Sequence, residues 1–361
     1  MGYSRAMNAI NLEPTDRIPN MEYIAHPEFV QKLSGIDPWQ HPTQAFSKAY
    51  RILDLDSALW LPVMSRKIVQ GAVVVDKERG KAYTRWGIDG SPWTVPFIKF
   101  KTIGDLLGYD PYTEEKRTVE EIAAGKNDEP YLSFSIGSYR MVYGLVKEWT
   151  LIPALHYATL FMYLILEIGW ELMAKLAFQQ PKECKRILES FARLSTKFME
   201  AWASLNPPVF MSHDDLANSK GPIMSPDWFR KNVFPWYPKI WEPIKKKGIK
   251  ILFISDGKYD SMIDDIARAG ADGFVIDHTN DMKSIADRYG DTKVIVGNVD
   301  NYKLSYGTTD DVTAEVRRCV SEAGDCPGFF LKVPGDISHD IPIPNAEAYF
   351  EACKKYGKRE H

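Results

Sequence analysis

The chain has 361 residues, 45% of them hydrophobic, and its 45 basic and 48 acidic side chains give a formal net charge of −3. This composition is typical of a globular protein that buries a core without disulfides, and no basic block indicates a nucleic-acid partner. No run of 18 apolar residues predicts a membrane span. The four cysteines form no CxxC pair and no secretory signal pattern is visible, so reduced thiols and a cytoplasmic location are expected.

The predicted elements begin with a helical segment. Short helices fit residues 4–12 and 43–53, and we interpret residues 1–55 as an N-terminal helical extension. Residues 57–63 are apolar and predict a buried strand.

A β-hairpin is predicted next in the chain. Residues 69–75 and 81–86 are rich in β-forming side chains, and the polar segment between them ends in a glycine. We interpret residues 67–95 as an insertion that covers one end of the domain.

From residue 131 onward, apolar β-type runs alternate with amphipathic stretches. The β-type runs are residues 131–135, 209–212, 249–254, 272–276, 293–296 and 328–333. The amphipathic stretches are residues 141–148, 181–204, 226–247, 258–269, 280–288, 309–323 and 344–356. Strands that alternate with helices form a parallel sheet with crossover helices.

The predicted fold is therefore α/β, a single (β/α)8 or TIM barrel domain over residues 1–361. The alternative is an open, doubly wound sheet. That fold more readily shows a glycine-rich phosphate loop after its first strand, and neither GxGxxG nor GxxxxGK[ST] occurs in the chain.

Polar side chains follow the late predicted strands. They lie in the segments His213-Asp214-Asp215, Asp256-Gly257, Asp277-His278, Asn298-Val-Asp300 and Gly335-Asp336. Because barrel strand ends converge at one mouth, where barrel active sites lie, these residues are expected to share one site. Crowded carboxylates repel one another unless a cation or a shared proton relieves them, so the pattern predicts a metal ion. We take Asp256, His278 and Asp336 as its candidate ligands, with Asp277 orienting the imidazole.

Each of these residues also has an ordinary structural explanation. A lone aspartate at a strand end, such as Asp214, Asp215 or Asp300, often caps the following helix. His278 is equally well explained as a hydrogen-bonded loop histidine. Oxygen and imidazole ligands fit zinc without excluding manganese or iron.

The same segments carry a family resemblance over almost the whole chain. Its residues are Arg5, Asp16-Arg17-Ile18-Pro19, His213-Asp214-Asp215, Ser255-Asp256-Gly257, Gly297-Asn-Val-Asp300 and Val333-Pro-Gly-Asp336. With them the chain resembles the uroporphyrinogen decarboxylase superfamily, and within it the cobalamin-dependent methyltransferase branch. The resemblance implies a (β/α)8 barrel, in agreement with the strand and helix pattern.

Departures from the family patterns narrow the expected activity. The decarboxylases carry an arginine-rich stretch near the N-terminus, whereas residues 21–26 contain no arginine, so porphyrinogen decarboxylation is not expected. Methylthiol:coenzyme M methyltransferases hold zinc with His-x-Cys and a later Cys, and the corresponding positions here are Ile254, Asp256 and Asp336. Acidic oxygens in place of thiolates make the chain look more like the methyltransferases of O-demethylase systems. The resemblance implies zinc held by acidic and histidine ligands, and it adds Glu242 as a further candidate ligand beside His278. The ordinary explanation of Glu242 is a solvated helix face.

This resemblance implies a methyltransferase that demethylates a small methoxylated aromatic compound and passes the methyl group to the Co(I) corrinoid of a partner protein. Zinc would act as Lewis acid, and no cobalamin-binding DxHxxG pattern occurs in the chain itself. His213 or Asp214 would orient or protonate the leaving oxygen. Trp60, Tyr139 and Asp215 are the candidate substrate-binding residues.

Other functions remain open at this point. Methylamines, betaine or a methylated folate could be the methyl donor. A uroporphyrinogen decarboxylase-like lyase would need cationic pocket residues, for which Lys258, Lys332 and Arg140 are the nearest candidates. A non-catalytic corrinoid-binding protein would not need acidic residues on successive strand ends. The oligomeric state is also open, with a homodimer as one possibility.

Overall fold

A computed structural model describes residues 2–59, 73–76, 81–85, 92–94, 100–125 and 136–359. Its centre consists of eight short strands, which we number β1 to β8. They are Met21–Glu22, Ser57–Ala58, Ala154–Tyr157, Val209–His213, Lys250–Ile254, Gly273–Val275, Val294–Val296 and Phe329–Phe330.

Parallel pairing closes these strands into a barrel. Strands β3 to β8 form a six-stranded parallel sheet in chain order, and β1 pairs with β2 in parallel. The bridge between Asn20 and Leu331 joins β1 to β8, and the bridge between Ser57 and Leu151 joins β2 to the segment leading into β3. The predicted (β/α)8 barrel is thereby confirmed.

Sixteen described helices, α1 to α16, accompany the strands. They are Gly2–Ile10, Pro27–Ser34, Pro42–Leu53, Pro111–Glu114, Val119–Ala123, Ile136–Val146, Phe161–Tyr163, Trp170–Gln179, Pro181–Ser204, Pro226–Asn232, Tyr237–Lys246, Ile263–Ala269, Met282–Tyr289, Asn301–Tyr306, Thr309–Ala323 and Ile343–Tyr356. Short 3-10 helices cover Ile103–Leu106 and Asp260–Met262, and a π-helical turn covers Leu164–Ile168.

Local sequence explains several helix starts. Proline occupies the first turn of α9, where its missing N–H is not needed. Thr308 and Asp311 form a capping box at the start of α15, each side chain accepting a backbone N–H of the other residue. These helices begin where the prolines and the capping residues predict.

The barrel interior is a small apolar cluster of its own. Along each strand alternate residues point inward, and these include Leu155, Met211, Ile254, Val275 and Phe330. Helix α1 adds Ala6, Ala9 and Ile10 to the same cluster. The remaining core residues form a larger cluster, which packs the outward faces of the strands against the helices.

The structure differs from the predicted elements at two barrel strands. Strand β1 lies inside the segment interpreted as an N-terminal helical extension, which also holds α1 to α3. Strand β3 was not predicted, because three of its four residues are buried and the run lacks the alternation of a half-exposed strand. The run predicted at residues 131–135 lies outside the described residues.

Smaller sheets surround the barrel. Val73–Asp76 and Lys81–Arg85 pair antiparallel, as the predicted hairpin requires, and Pro92–Thr94 adds a third strand. Beyond the barrel, Ile24–Ala25 pairs in parallel with Ile337–Ser338, and Ala217–Asn218 pairs antiparallel with Gly221–Pro222. None of the described helices is long and apolar enough to cross a membrane.

Candidate active site at the barrel mouth

Strand alternation determines which side chains enter the mouth of the barrel. The inward residues Met211 and Ile254 are each followed two positions later by a titratable residue, His213 and Asp256. Leu155, Val275 and Phe330 are followed in the same way by Tyr157, Asp277 and Lys332. A ring of polar side chains therefore lies directly above the apolar interior, at the C-terminal ends of the strands.

Three residues of this mouth form a group that fits a metal ion. One ligand atom each from His213, Asp215 and Asp256 lies within 4.8 Å of the others. Asp215 links the group, because its Oδ1 lies 2.9 Å from Nε2 of His213 and accepts the backbone N–H of Asp256 at 2.8 Å. One imidazole and two carboxylates are a common donor set for zinc, so the residues present fit such an ion.

The charges of the three residues influence one another. Burial and, after it, the neighbouring carboxylate of Asp215 together raise the pKa of Asp256 to about 6. Burial lowers the pKa of His213, but the carboxylates of Asp215 and Asp256 outweigh it, and the net shift is upward. Burial raises the pKa of Asp215, but the charge and hydrogen bond of His213 lower it by more, so the net shift is downward. The group therefore concentrates negative charge that a proton or a cation can balance.

Asp214, predicted to be catalytic, lies in a different environment from its neighbours. Its carboxylate is fully buried and accepts the backbone N–H groups of Leu160, Phe161 and Met162 at 2.7–3.1 Å. It also accepts the hydroxyl of Tyr237 at 2.8 Å. Burial raises its pKa to about 6. These bonds hold the first turn of α7, so the structure gives Asp214 a capping environment outside the His213–Asp215–Asp256 group.

His278 and Asp336, two predicted metal ligands, are not brought into this group. His278 follows the inward Asp277, and its ring contacts that of Tyr302 on α14 edge to face at 5.9 Å. Its Nδ1 lies 3.0 Å from Oδ1 of Asp277, but the two atoms do not have the geometry of a hydrogen bond. Asp336 follows β8 and interacts electrostatically with Lys332.

Glu242, a further candidate ligand, lies on the outer surface of α11. It forms an ion pair with Lys246 one turn later, and more than half of its side chain is exposed. Glu242 therefore lies on a solvated helix face, away from the barrel mouth residues described above.

The predicted substrate-binding residues fall in three places. Asp215 lies in the His213–Asp215–Asp256 group, and Trp60 lies outside the described residues. Tyr139, on α6, is buried against Trp202 of α9, with ring centroids 5.5 Å apart. This packs Tyr139 into the helical layer.

Lys332 introduces a positive charge at the acidic mouth. Its ammonium is buried and donates to the carbonyls of Val333 at 2.5 Å and Gly335 at 3.0 Å. Burial lowers its pKa, while the carboxylates of Glu22, Asp256, Asp336 and Asp277 oppose the lowering. The other cations considered for a lyase, Lys258 and Arg140, are exposed and bind Asp260 and the Ala123 carbonyl.

Sequence reasoning did not single out Tyr157 as a mouth residue. Tyr157 ends β3 and pairs in register with His213, and the two rings meet edge to face at 4.6 Å. Burial and the charges of Asp215 and Asp256 raise the pKa of its phenol. The sequence identifies Tyr157 as a mouth residue only when β3 is recognised as a strand, because Tyr157 lies two positions beyond the inward Leu155.

A closed parallel barrel whose titratable side chains gather at the C-terminal ends of the strands defines a (β/α)8-barrel enzyme. The family model described as uroporphyrinogen decarboxylase (URO-D) matches residues 111–356, and the chain belongs to this family.

Similar proteins carry two kinds of name. The uroporphyrinogen decarboxylase of Pseudoalteromonas atlantica is 25% identical over 287 residues, which are 76% of this chain and 73% of that protein. The decarboxylase of Syntrophotalea carbinolica is 25% identical over 181 residues, so the chain spans about half of that relative (51%). A solved methyltransferase from Methanosarcina mazei superposes with a TM-score of 0.66 at 17% identity, covering 98% of both chains. This last likeness supports the fold.

Proposed function

We propose that this chain is a metal-dependent methyltransferase of the URO-D superfamily. It would take the methyl group of a methoxylated aromatic compound and pass it to the Co(I) corrinoid of a partner protein. The observation that carries the proposal is the His213–Asp215–Asp256 group at the barrel mouth. Methylamines, betaine and methylated folates are the alternative methyl donors.

The chemistry of an aryl methyl ether explains why such a group is useful. The bond between the methyl carbon and the oxygen breaks with its electron pair staying on the oxygen. Zinc held by His213, Asp215 and Asp256 would supply a Lewis acid for that developing negative charge. The electron pair for the new bond to the methyl carbon comes from the corrinoid, whose protein must reach the open end of the barrel.

The residues of this chain hold and shape the site. Asp215 positions two partners at once, because its Oδ1 contacts the imidazole of His213 and the backbone N–H of Asp256. The ring of Tyr157 packs against His213. In this site His213 would take the metal-binding role that the sequence pattern gives to His278.

A lyase of the decarboxylase type is the second candidate, and the names of the relatives favour it. Such an enzyme needs cationic groups for the carboxylates of its substrate. Among the described mouth residues, Lys332 is buried and already bonded to two carbonyls, and its neighbours are carboxylates. This charge distribution favours a bound cation over a polyanionic substrate.

The test is the metal content of purified protein after zinc is added and excess is removed. About one zinc per chain is expected in the wild type and in His278→Ala, and none in His213→Ala or Asp256→Ala. Turnover of methoxybenzoates with a Co(I) corrinoid acceptor should follow the same order. Loss of zinc in His278→Ala but not in His213→Ala would restore the ligand set predicted from the sequence. A folded wild type that binds no zinc would sink the methyltransferase proposal and leave the lyase.

A further inference from the structure

The ends of β3 and β4 are tied together beside the metal-binding group. Tyr157 and His213 are register partners, and the backbone N–H of Thr159 donates to the His213 carbonyl at 2.8 Å. The hydroxyl of Thr159 also lies 2.7 Å from that of Ser212. These contacts fix the backbone on both sides of the two rings, so the position of Tyr157 relative to His213 is set by the sheet.

Two contacts orient the His213 imidazole. Asp215 contacts Nε2 of His213. This contact alone still allows the plane of the imidazole to turn about the axis of the hydrogen bond. The Tyr157 ring meets the imidazole at 4.6 Å with an interplanar angle of 90°. An edge-to-face contact at this distance is favourable and opposes that rotation, because turning the imidazole would bring the rings into collision.

We infer that Tyr157 is a positioning residue, whose aromatic ring fixes the plane of His213 in the metal-binding group. The inference rests on the proposed function, since it needs His213 to be a ligand. The ring carries the role and the hydroxyl does not, because the contact that restrains the imidazole is made by the ring. An edge-to-face ring contact of this kind corresponds to about a 2- to 10-fold change in an equilibrium constant.

Three substitutions separate ring, hydroxyl and general packing. Tyr157→Phe keeps the ring, and Tyr157→Leu removes it. Tyr302→Leu is the matched control, because Tyr302 makes the same type of edge-to-face contact with a histidine, His278, outside the group. Zinc affinity is measured by chelator competition, the visible spectrum of the Co(II)-loaded protein reports ligand geometry, and thermal unfolding of the metal-free proteins verifies folding.

Tyr157→Leu should bind zinc about 2- to 10-fold more weakly and show altered Co(II) bands, whereas Tyr157→Phe and Tyr302→Leu should match the wild type. Wild-type affinity in a folded Tyr157→Leu would overturn the inference and leave the proposed function intact. An equal loss in Tyr157→Phe would overturn it as well, by assigning the role to the hydroxyl. A wild type that binds neither ion would overturn both.

Discussion

Asp214 and Asp215 are adjacent carboxylates just beyond the end of β4, and they lie in different surroundings. Asp215 is joined to His213 and to the Asp256 backbone at the mouth. Asp214 is buried between β4 and the helices, where four donors surround it. The pair is therefore best tested by measuring stability and metal binding separately.

Replacement of Asp214 should destabilise the fold without removing the metal. Asp214→Ala leaves three buried N–H groups and a tyrosine hydroxyl without their acceptor, which costs about 3 kcal/mol or more of unfolding free energy. Asp214→Asn retains one oxygen and should lose roughly half as much. Zinc stoichiometry should remain at the wild-type value in Asp214→Asn, as measured by metal analysis beside denaturant unfolding.

Asp300→Ala provides the comparison, since Asp300 is another strand-end aspartate but accepts one N–H, that of Tyr302, as the N-cap of α14. Its loss should cost about 1 kcal/mol. If Asp214→Asn lost zinc while remaining folded, Asp214 would belong to the reactive machinery after all.

The turn after β5 shows how one element positions another. Gly257 directly follows Asp256 and has a φ of +77°, and a Cβ built on it would lie 2.6 Å from backbone atoms of Asn218. Lys258 also donates its N–H to the Asn218 carbonyl at 2.9 Å. The short antiparallel pair at Ala217–Asn218 thus approaches the β5 turn so closely that only glycine fits.

Gly257→Ala should therefore weaken metal binding as well as the fold. The substitution combines backbone strain with a backbone collision, so about 2 kcal/mol or more of stability and about tenfold in zinc affinity should be lost. Gly248→Ala is the matched control, because Gly248 has a φ of +71° but open space around it. It should cost about 1–2 kcal/mol and leave zinc affinity unchanged. Equal zinc affinity in both variants would show that the Asn218 contact does not position Asp256.

The regular elements of the barrel could be predicted from the sequence, but the full membership of its mouth could not. The alternation of apolar β-type runs with amphipathic helices identified most of the late strands, and with them the strand ends that carry Asp256 and Asp277. The proposed preference for His213 over His278 rests on strand parity. His213 lies two residues beyond the inward Met211, whereas His278 lies three residues beyond the inward Val275. Strand β3 could not be predicted because it is short and largely buried, and Tyr157 was therefore not identified as a mouth residue.

At the scale of the whole molecule, closure of the barrel depends on contacts between its first and last elements. Glu22 of β1 is fully buried, accepts the backbone N–H of Val333 at 3.2 Å and bonds the hydroxyl of Tyr349 on α16. Burial raises its pKa to about 8, although Lys332 beside it acts in the opposite direction. Residues more than 300 positions apart in the chain are thereby linked through a carboxyl group.

This carboxyl makes stability depend on pH. Because the pKa of Glu22 is about 8 in the fold and 4.5 ordinarily, the folded state holds a proton that the unfolded chain releases between these values. Stability should therefore fall as pH rises from 5 to 8, by at most about 1.4 kcal/mol per pH unit. Glu22→Gln retains an acceptor oxygen but cannot ionise, so its unfolding free energy should follow a flatter profile in denaturant titrations across that range. Glu351→Gln, which removes an exposed carboxylate of α16, should keep the wild-type slope. Parallel profiles for the wild type and Glu22→Gln would mean that Glu22 is ionised in the fold and paired with Lys332.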